Sequence, residues 1–154
     1  MKLYPLVFSF RDLIAGNGFV AAVSIDGRAL LSEEEDGYWM FGVQPGSVAG
    51  GGDAKAISFK QFKDSYLSVL FDMAAEAVSF EQFDAMVKLL FTQVNEPNLS
   101  EWESALAAVR ANSITLEDVA RVPADSRVPA LLIQKMGPEV NSGVNEFDQI
   151  SEAA

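Results

Sequence analysis

Apolar side chains recur every second position as far as Val43 and every third or fourth position from Phe59 onward, with a glycine-rich stretch between the two regimes. A period of two sends alternate side chains to opposite faces of a strand, whereas a period near 3.6 gathers them on one face of a helix. The chain must therefore first build a sheet and then lay helices against it. The expected class is α+β: an antiparallel meander of three or four strands covered by a long helix, followed by two further helices.

In Leu6-Val7-Phe8-Ser9-Phe10-Arg11, the residues Leu6, Phe8 and Phe10 share one face while Ser9 and Arg11 share the other, and a strand is expected from Tyr4 to Ile14. Gly16-Asn17-Gly18 interrupts it, and Phe19, Ala21, Val23 and Ile25 resume the alternation on a second strand. Asp26-Gly27 has the composition of a tight hairpin turn, since both positions tolerate a positive φ, and it predicts Arg28 to Ser32 as a separate returning strand. The run Glu33-Glu34-Glu35-Asp36-Gly37 reads as the next turn and Tyr38 to Val43 as an aromatic-rich strand. There Trp39 and Phe41 share one face, Tyr38 and Met40 the other. Aromatics on both faces fit a sheet with helices on one side and a second subunit on the other, or one buried on both sides within a single chain.

Gln44 to Ala56 reads as a connection containing Pro45-Gly46 and Gly50-Gly51-Gly52. Beyond it Phe59, Phe62, Tyr66, Val69, Leu70, Met73 and Ala77 form one helical stripe. Three capping-box pairs, Ser58/Gln61, Ser79/Gln82 and Ser100/Glu103, precede or open apolar stripes and mark three helix starts, with Pro97 separating the second helix from the third. Ile114 to Arg121 reads as a short helix and Val128 to Gln134 as a short strand. One domain is expected over residues 1–136, with a helical extension over about 79–121, and residues 137–154 read as a flexible acidic tail.

The chain of 154 residues contains no histidine and no cysteine. Imidazole-activated nucleophiles, thiolate chemistry, disulfides and the usual zinc ligand sets are thereby excluded, leaving carboxylate chemistry for any catalysis. The net charge of −11 repels phosphate backbones and anionic membrane surfaces and attracts basic partners. Acidity of this size also serves solubility alone. No stretch reaches the roughly 18–20 uninterrupted apolar residues of a membrane span, and the expected location is cytoplasmic.

Among the acids, Glu33–Asp36 forms the densest cluster, but consecutive turn residues point in different directions, so a solvated turn is favoured over a cation site. Asp53, Asp64 and Asp72 surround the start of the first helix without a ligand spacing. The segment Gly46 to Gly52 occupies the strand-to-helix position of phosphate loops but lacks the Gly-Lys-Ser/Thr ending. Thr115 to Arg121 looks like the first helix of a DNA-binding helix-turn-helix, but Pro129 falls where the recognition helix would have to run. No cofactor and no metal are expected.

From Phe19 to Ala77 the sequence resembles HicB-type antitoxins: Asp36-Gly37-Tyr38-Trp39, then Pro45-Gly46, then Gly52-Asp53, then the Phe59–Ala77 helix. The strand from Tyr4 to Ile14 is additional, and two further helices stand where family members carry a DNA-binding segment. The resemblance implies a non-enzymatic, homo-oligomeric domain that binds and neutralises a small basic ribonuclease. The residues expected to meet a partner are Glu33, Glu34, Glu35, Asp36, Trp39 and Phe41, aromatic anchors beside charge that steers a basic protein. Two other functions fit the residues: a carboxylate- or metal-dependent hydrolase, and a small-molecule-binding regulatory domain whose Gly50–Gly52 loop closes over a pocket.

Overall fold

The structure is a computed structural model that describes residues 1–123, 128–137 and 148–154. Strands β1 (Lys2–Gly16) and β2 (Phe19–Glu34) pair along their whole lengths, from Lys2 opposite Glu33 to Gly16 opposite Phe19. Their turn is Asn17-Gly18, with Gly18 at a φ of 78°, a conformation that costs glycine nothing. Asp26-Gly27, expected as a second turn, lies inside β2 opposite Ser9 and Phe8. Glycine is needed at position 27 for space: a Cβ there would run into the Phe8 ring and stand 2.7 Å from the Gln44 carbonyl oxygen. The returning strand Arg28 to Ser32 is therefore the second half of β2.

The outer side of β2 is divided between two strands. β3 (Gly37–Gln44) pairs with its C-terminal half and β6 (Ala130–Lys135) with Ala21 to Asp26. β4 (Ala49–Gly52) adds to β3, so part of the expected glycine-rich connection is strand. On the far side of β1, β7 (Gln149–Ala153) pairs antiparallel with Leu6 to Ser9, and β5 (Arg121–Val122) runs parallel beside β7. The result is a seven-stranded sheet in the order β4-β3-β2-β1-β7-β5, with β6 against β2. The meander is present, extended by β5, β6 and β7.

The flexible tail expected over residues 137–154 does not hold for Gln149–Ala153, while 138–147 lie outside the described residues. Few apolar side chains mark β7, because backbone pairing on both edges orders it and a carboxylate anchors it. Glu152, 1% exposed, accepts from the Leu116 backbone N–H at 2.8 Å and from Arg121 Nε at 2.9 Å. Burying a carboxylate is costly unless it is hydrogen-bonded and paired in this way.

Helices α1 (Lys55–Glu76) and α2 (Phe80–Phe91) cover one face of the sheet, and α3 (Glu96–Arg110) lies on the other. α1 buries Ser58, Phe62, Tyr66, Leu70 and Ala74, a single line at i, i+4 spacing. Of the three capping signals only Ser79/Gln82 starts a helix: Ser79 Oγ accepts from the Gln82 N–H at 3.2 Å, and Gln82 Oε1 accepts from the Val78 N–H at 2.7 Å. α1 begins a turn before Ser58, whose hydroxyl donates back to the Lys55 carbonyl, and α3 is capped by Asn95 with Pro97 in its first turn.

The short helix expected from Ile114 to Arg121 is absent. Asn112, at a φ of 57°, ends α3 in a Schellman arrangement, with Ser113 N–H donating to Ala108 and Asn112 N–H to Val109. The chain then turns to β5, and the helix-turn-helix likeness has no helix to rest on. Among the described residues no helix is long and apolar enough to cross a membrane.

Candidate functional site

Directly opposed residues in a sheet share a face, so the pairings give the composition of each side. The side under α1 and α2 receives Leu6, Phe8, Phe10 and Ile14 from β1, Ala29 and Leu31 from β2 and Met40 from β3, all buried. Trp39 and Phe41 point the other way. Gly51, Trp39, Ser32 and Leu3 form one row across β4, β3, β2 and β1, and Ala49, Phe41, Leu30 and Pro5 form the next.

On this α3 side the helix reaches only part of the sheet. Trp102 and Leu106 pack on Val7, Leu30 and Val43, and Trp102 Nε1 donates to the Leu6 carbonyl at 3.0 Å. Beyond the helix's first turns the Trp39 and Phe41 rings lie stacked, 6.1 Å between centroids and 16° between planes, with Trp39 exposed and Phe41 half-buried. A hollow of about 220 Å³ beside them is lined by Phe41, Leu3, Leu30, Glu34 and Glu101, and it adjoins a second of about 400 Å³ through Leu3 and Glu101. The result is an aromatic shelf with acids on both rims.

The six residues singled out in the sequence separate as follows. Glu34 lies on the shelf side of β2 with Trp39 and Phe41, and Glu35 and Asp36 form the exposed turn beside it. Glu33 faces the opposite side, where it accepts from Tyr4 Oη at 2.7 Å and Tyr38 Oη at 3.5 Å. Both phenols are pushed above their ordinary pKa, first by burial and then by the Glu33 carboxylate.

Glycines Gly50 and Gly51 bring these layers together. A Cβ on Gly50 would stand 2.6 Å from the Gln61 carbonyl carbon and 2.8 Å from Phe62 Cα, so glycine there lets the α1 backbone rest on β4. A Cβ on Gly51 would stand 2.7 Å from the Trp39 indole, which lies flat over that peptide. The glycine run serves close packing on both faces, which removes the expected mobile loop over a pocket.

Sequence reasoning missed a charged cluster on the α1 side. Lys63 Nζ lies 2.7 Å from Asp12 Oδ2 and 2.5 Å from Asp148 Oδ2, and 4.1 Å from the Phe10 ring centroid. Burial raises the Asp12 pKa, partly offset by Lys63 and reinforced by Asp148. A carboxylate at each side of one ammonium ties β1, α1 and the approach to β7 together. The nearby Tyr66 hydroxyl is buried without a hydrogen-bond partner among the described residues, and its pKa is raised by burial and by both acids. Asp12 is buried on the face of β1 that carries Leu6, Phe8 and Phe10, where alternation gives no sign of an acid with a partner, and Asp148 lies within the segment read as tail, so neither carried a signal.

Of the other acids, Asp64 pairs with Lys60 at 3.0 Å, while Asp53 and Asp72 are exposed. Among the described residues no group of three or more His, Cys, Asp or Glu side chains could hold a metal ion. No protein-family model matches the chain, and comparison with curated proteins and with solved structures likewise returns no match.

Proposed function

We propose that this chain is a non-enzymatic protein-binding domain, similar to HicB-type antitoxins, whose shelf of Trp39 and Phe41 docks a small basic protein in the cytoplasm. The single observation that carries this reading is the stacked Trp39–Phe41 pair left uncovered by α3 and flanked by Glu34, Glu35, Asp36 and Glu101. Solvent-facing aromatics in contact with one another supply the apolar anchor of an interface, and a rim on which Glu34, Glu35, Asp36 and Glu101 outnumber Lys2 and the Met1 amino group steers a basic partner to it. The order β3, Pro45-Gly46 turn, β4, α1 supports the likeness to the family. Self-association belongs to the same reading: β4 ends the strand order, and its outer edge offers backbone groups to a second copy.

The test compares tagged protein with a Trp39→Ser/Phe41→Ser double variant in pull-downs from native lysate, eluted with rising salt. The expected result is a small basic protein retained by the parent, released at moderate salt and lost by the variant. Equal retention by both, or recovery of the bait alone, would remove this reading. Replacing Glu33, Glu34 and Glu35 by glutamine should slow association at low salt, through Glu34 and Glu35 chiefly, with little change at high salt.

A further inference from the structure

The α3 side of the sheet carries, beyond Trp102, a second concavity that protein docking leaves unused. Ser9 lies opposite Asp26 on β2 and opposite Gln149 on β7, while Ser151 lies opposite Val7, one position along the same face. Four polar side chains thus stand side by side across three strands about 4.8 Å apart. They floor a cavity of about 410 Å³ walled by Val7, Val122, Pro123 and Val128.

Among the described residues the one charged side chain lining this cavity is Asp26. Asp26 is half-buried, and among the described residues it forms no ion pair and no lysine or arginine lines the cavity. The Ser9 hydroxyl donates to Asp26 Oδ1, and among the described residues Asp26 Oδ2 has no hydrogen-bond partner. The Ser151 oxygen and the Gln149 amide oxygen add further acceptors. An ammonium group brings three donors in a compact head, and the valine and proline walls take a short hydrocarbon body.

We propose that this cavity binds a small primary ammonium compound, its head on Asp26, Ser9 and Ser151 and its hydrocarbon body against Val122, Pro123 and Val128. The site stands apart from the Trp39 shelf, on the far side of Trp102, and does not depend on the docking reading. The net charge of −11 raises the local concentration of any such cation.

Amide chemical shifts of the full chain, titrated with n-butylammonium chloride, test the proposal against sodium butyrate and sodium chloride at equal ionic strength. The expected result is saturable shifts centred on Ser9, Asp26, Gln149 and Ser151 with the ammonium compound alone. Asp26→Asn, which keeps an acceptor for Ser9, should weaken the binding by on the order of tenfold or more, as loss of a charge-assisted hydrogen bond does. Val128→Trp, which adds bulk to the cavity wall and leaves the polar residues of the floor unchanged, should abolish it. Shifts spread equally over Glu34–Asp36, shifts indifferent to both variants, or no saturable response would each overturn it.

Discussion

On the α1 side of the sheet, Leu6, Phe8, Phe10 and Ile14 vanish under two helices, and Phe62 and Tyr66 interlock with them ring against ring. On the α3 side a single helix covers Val7, Leu30 and Val43, then leaves Leu3, Trp39 and Phe41 partly or fully open at one end and Ser9 and Asp26 partly open at the other. Both sides come from the same strands with the same alternation. The difference teaches that period two says which residues share a face, and the number and reach of the helices decide which face is sealed. Stability should therefore answer to substitutions on the first side, and binding to substitutions on the second.

The largest effect is expected at Phe62, fully buried and in contact with Phe8 and Phe10. Phe62→Ala should cost about 3–5 kcal/mol, read from the urea midpoint. Next comes Lys63→Met, which strands Asp12 and Asp148 and should cost about 3 kcal/mol at neutral pH. The sign of its pH dependence is fixed by burial: Asp12 already has a raised pKa in the folded state, and losing Lys63 raises it further. The penalty falls on the charged form, so the variant should recover stability as pH drops and Asp12 takes up a proton. A variant equally destabilised at all pH values would contradict this account of the cluster.

Gly50→Ala and Gly51→Ala compare the two sides at adjacent residues. The first drives a methyl group into the α1 backbone and should cost roughly 2–3 kcal/mol; the second meets only the Trp39 ring, which can lift, and should cost under about 1 kcal/mol. Equal costs would mean that the α3 side is as tightly built as the other. Smallest of all, Tyr66→Phe removes a buried hydroxyl that has no partner among the described residues and should be neutral or stabilise by about 1 kcal/mol in thermal melts.

The sequence made the architecture legible where periodicity was long and strict: β1, the aromatic β3, the α1 stripe and the α+β class. It misled where one residue type serves two purposes. Asp26-Gly27 has turn composition, but Gly27 is there to admit the Phe8 ring, and a residue 19 positions away leaves no local trace. Gly50 and Gly51 read as a loop for the same reason. β7 was hidden because its burial comes from neighbours on both edges rather than from its own side chains. Of the shelf, Trp39, Phe41 and Glu34 were visible as alternation beside charge, whereas Leu3 and Glu101 reach it only through the fold. The cavity at Asp26 could not be seen while Asp26 was assigned to a turn.

Trp39 and Phe71 make the most direct test of the division between the two sides, because they are aromatic and nearly equally exposed, at 47% and 48%, on the α3 and α1 sides. A photo-crosslinking phenylalanine analogue would be placed at position 39 or at position 71 of the full chain in its native cells. Its adducts would then be identified by mass spectrometry. The account expects a basic protein captured from position 39 and not from position 71. Capture from position 71 alone, equal capture from both, or only a second copy of this chain at position 39 would contradict it.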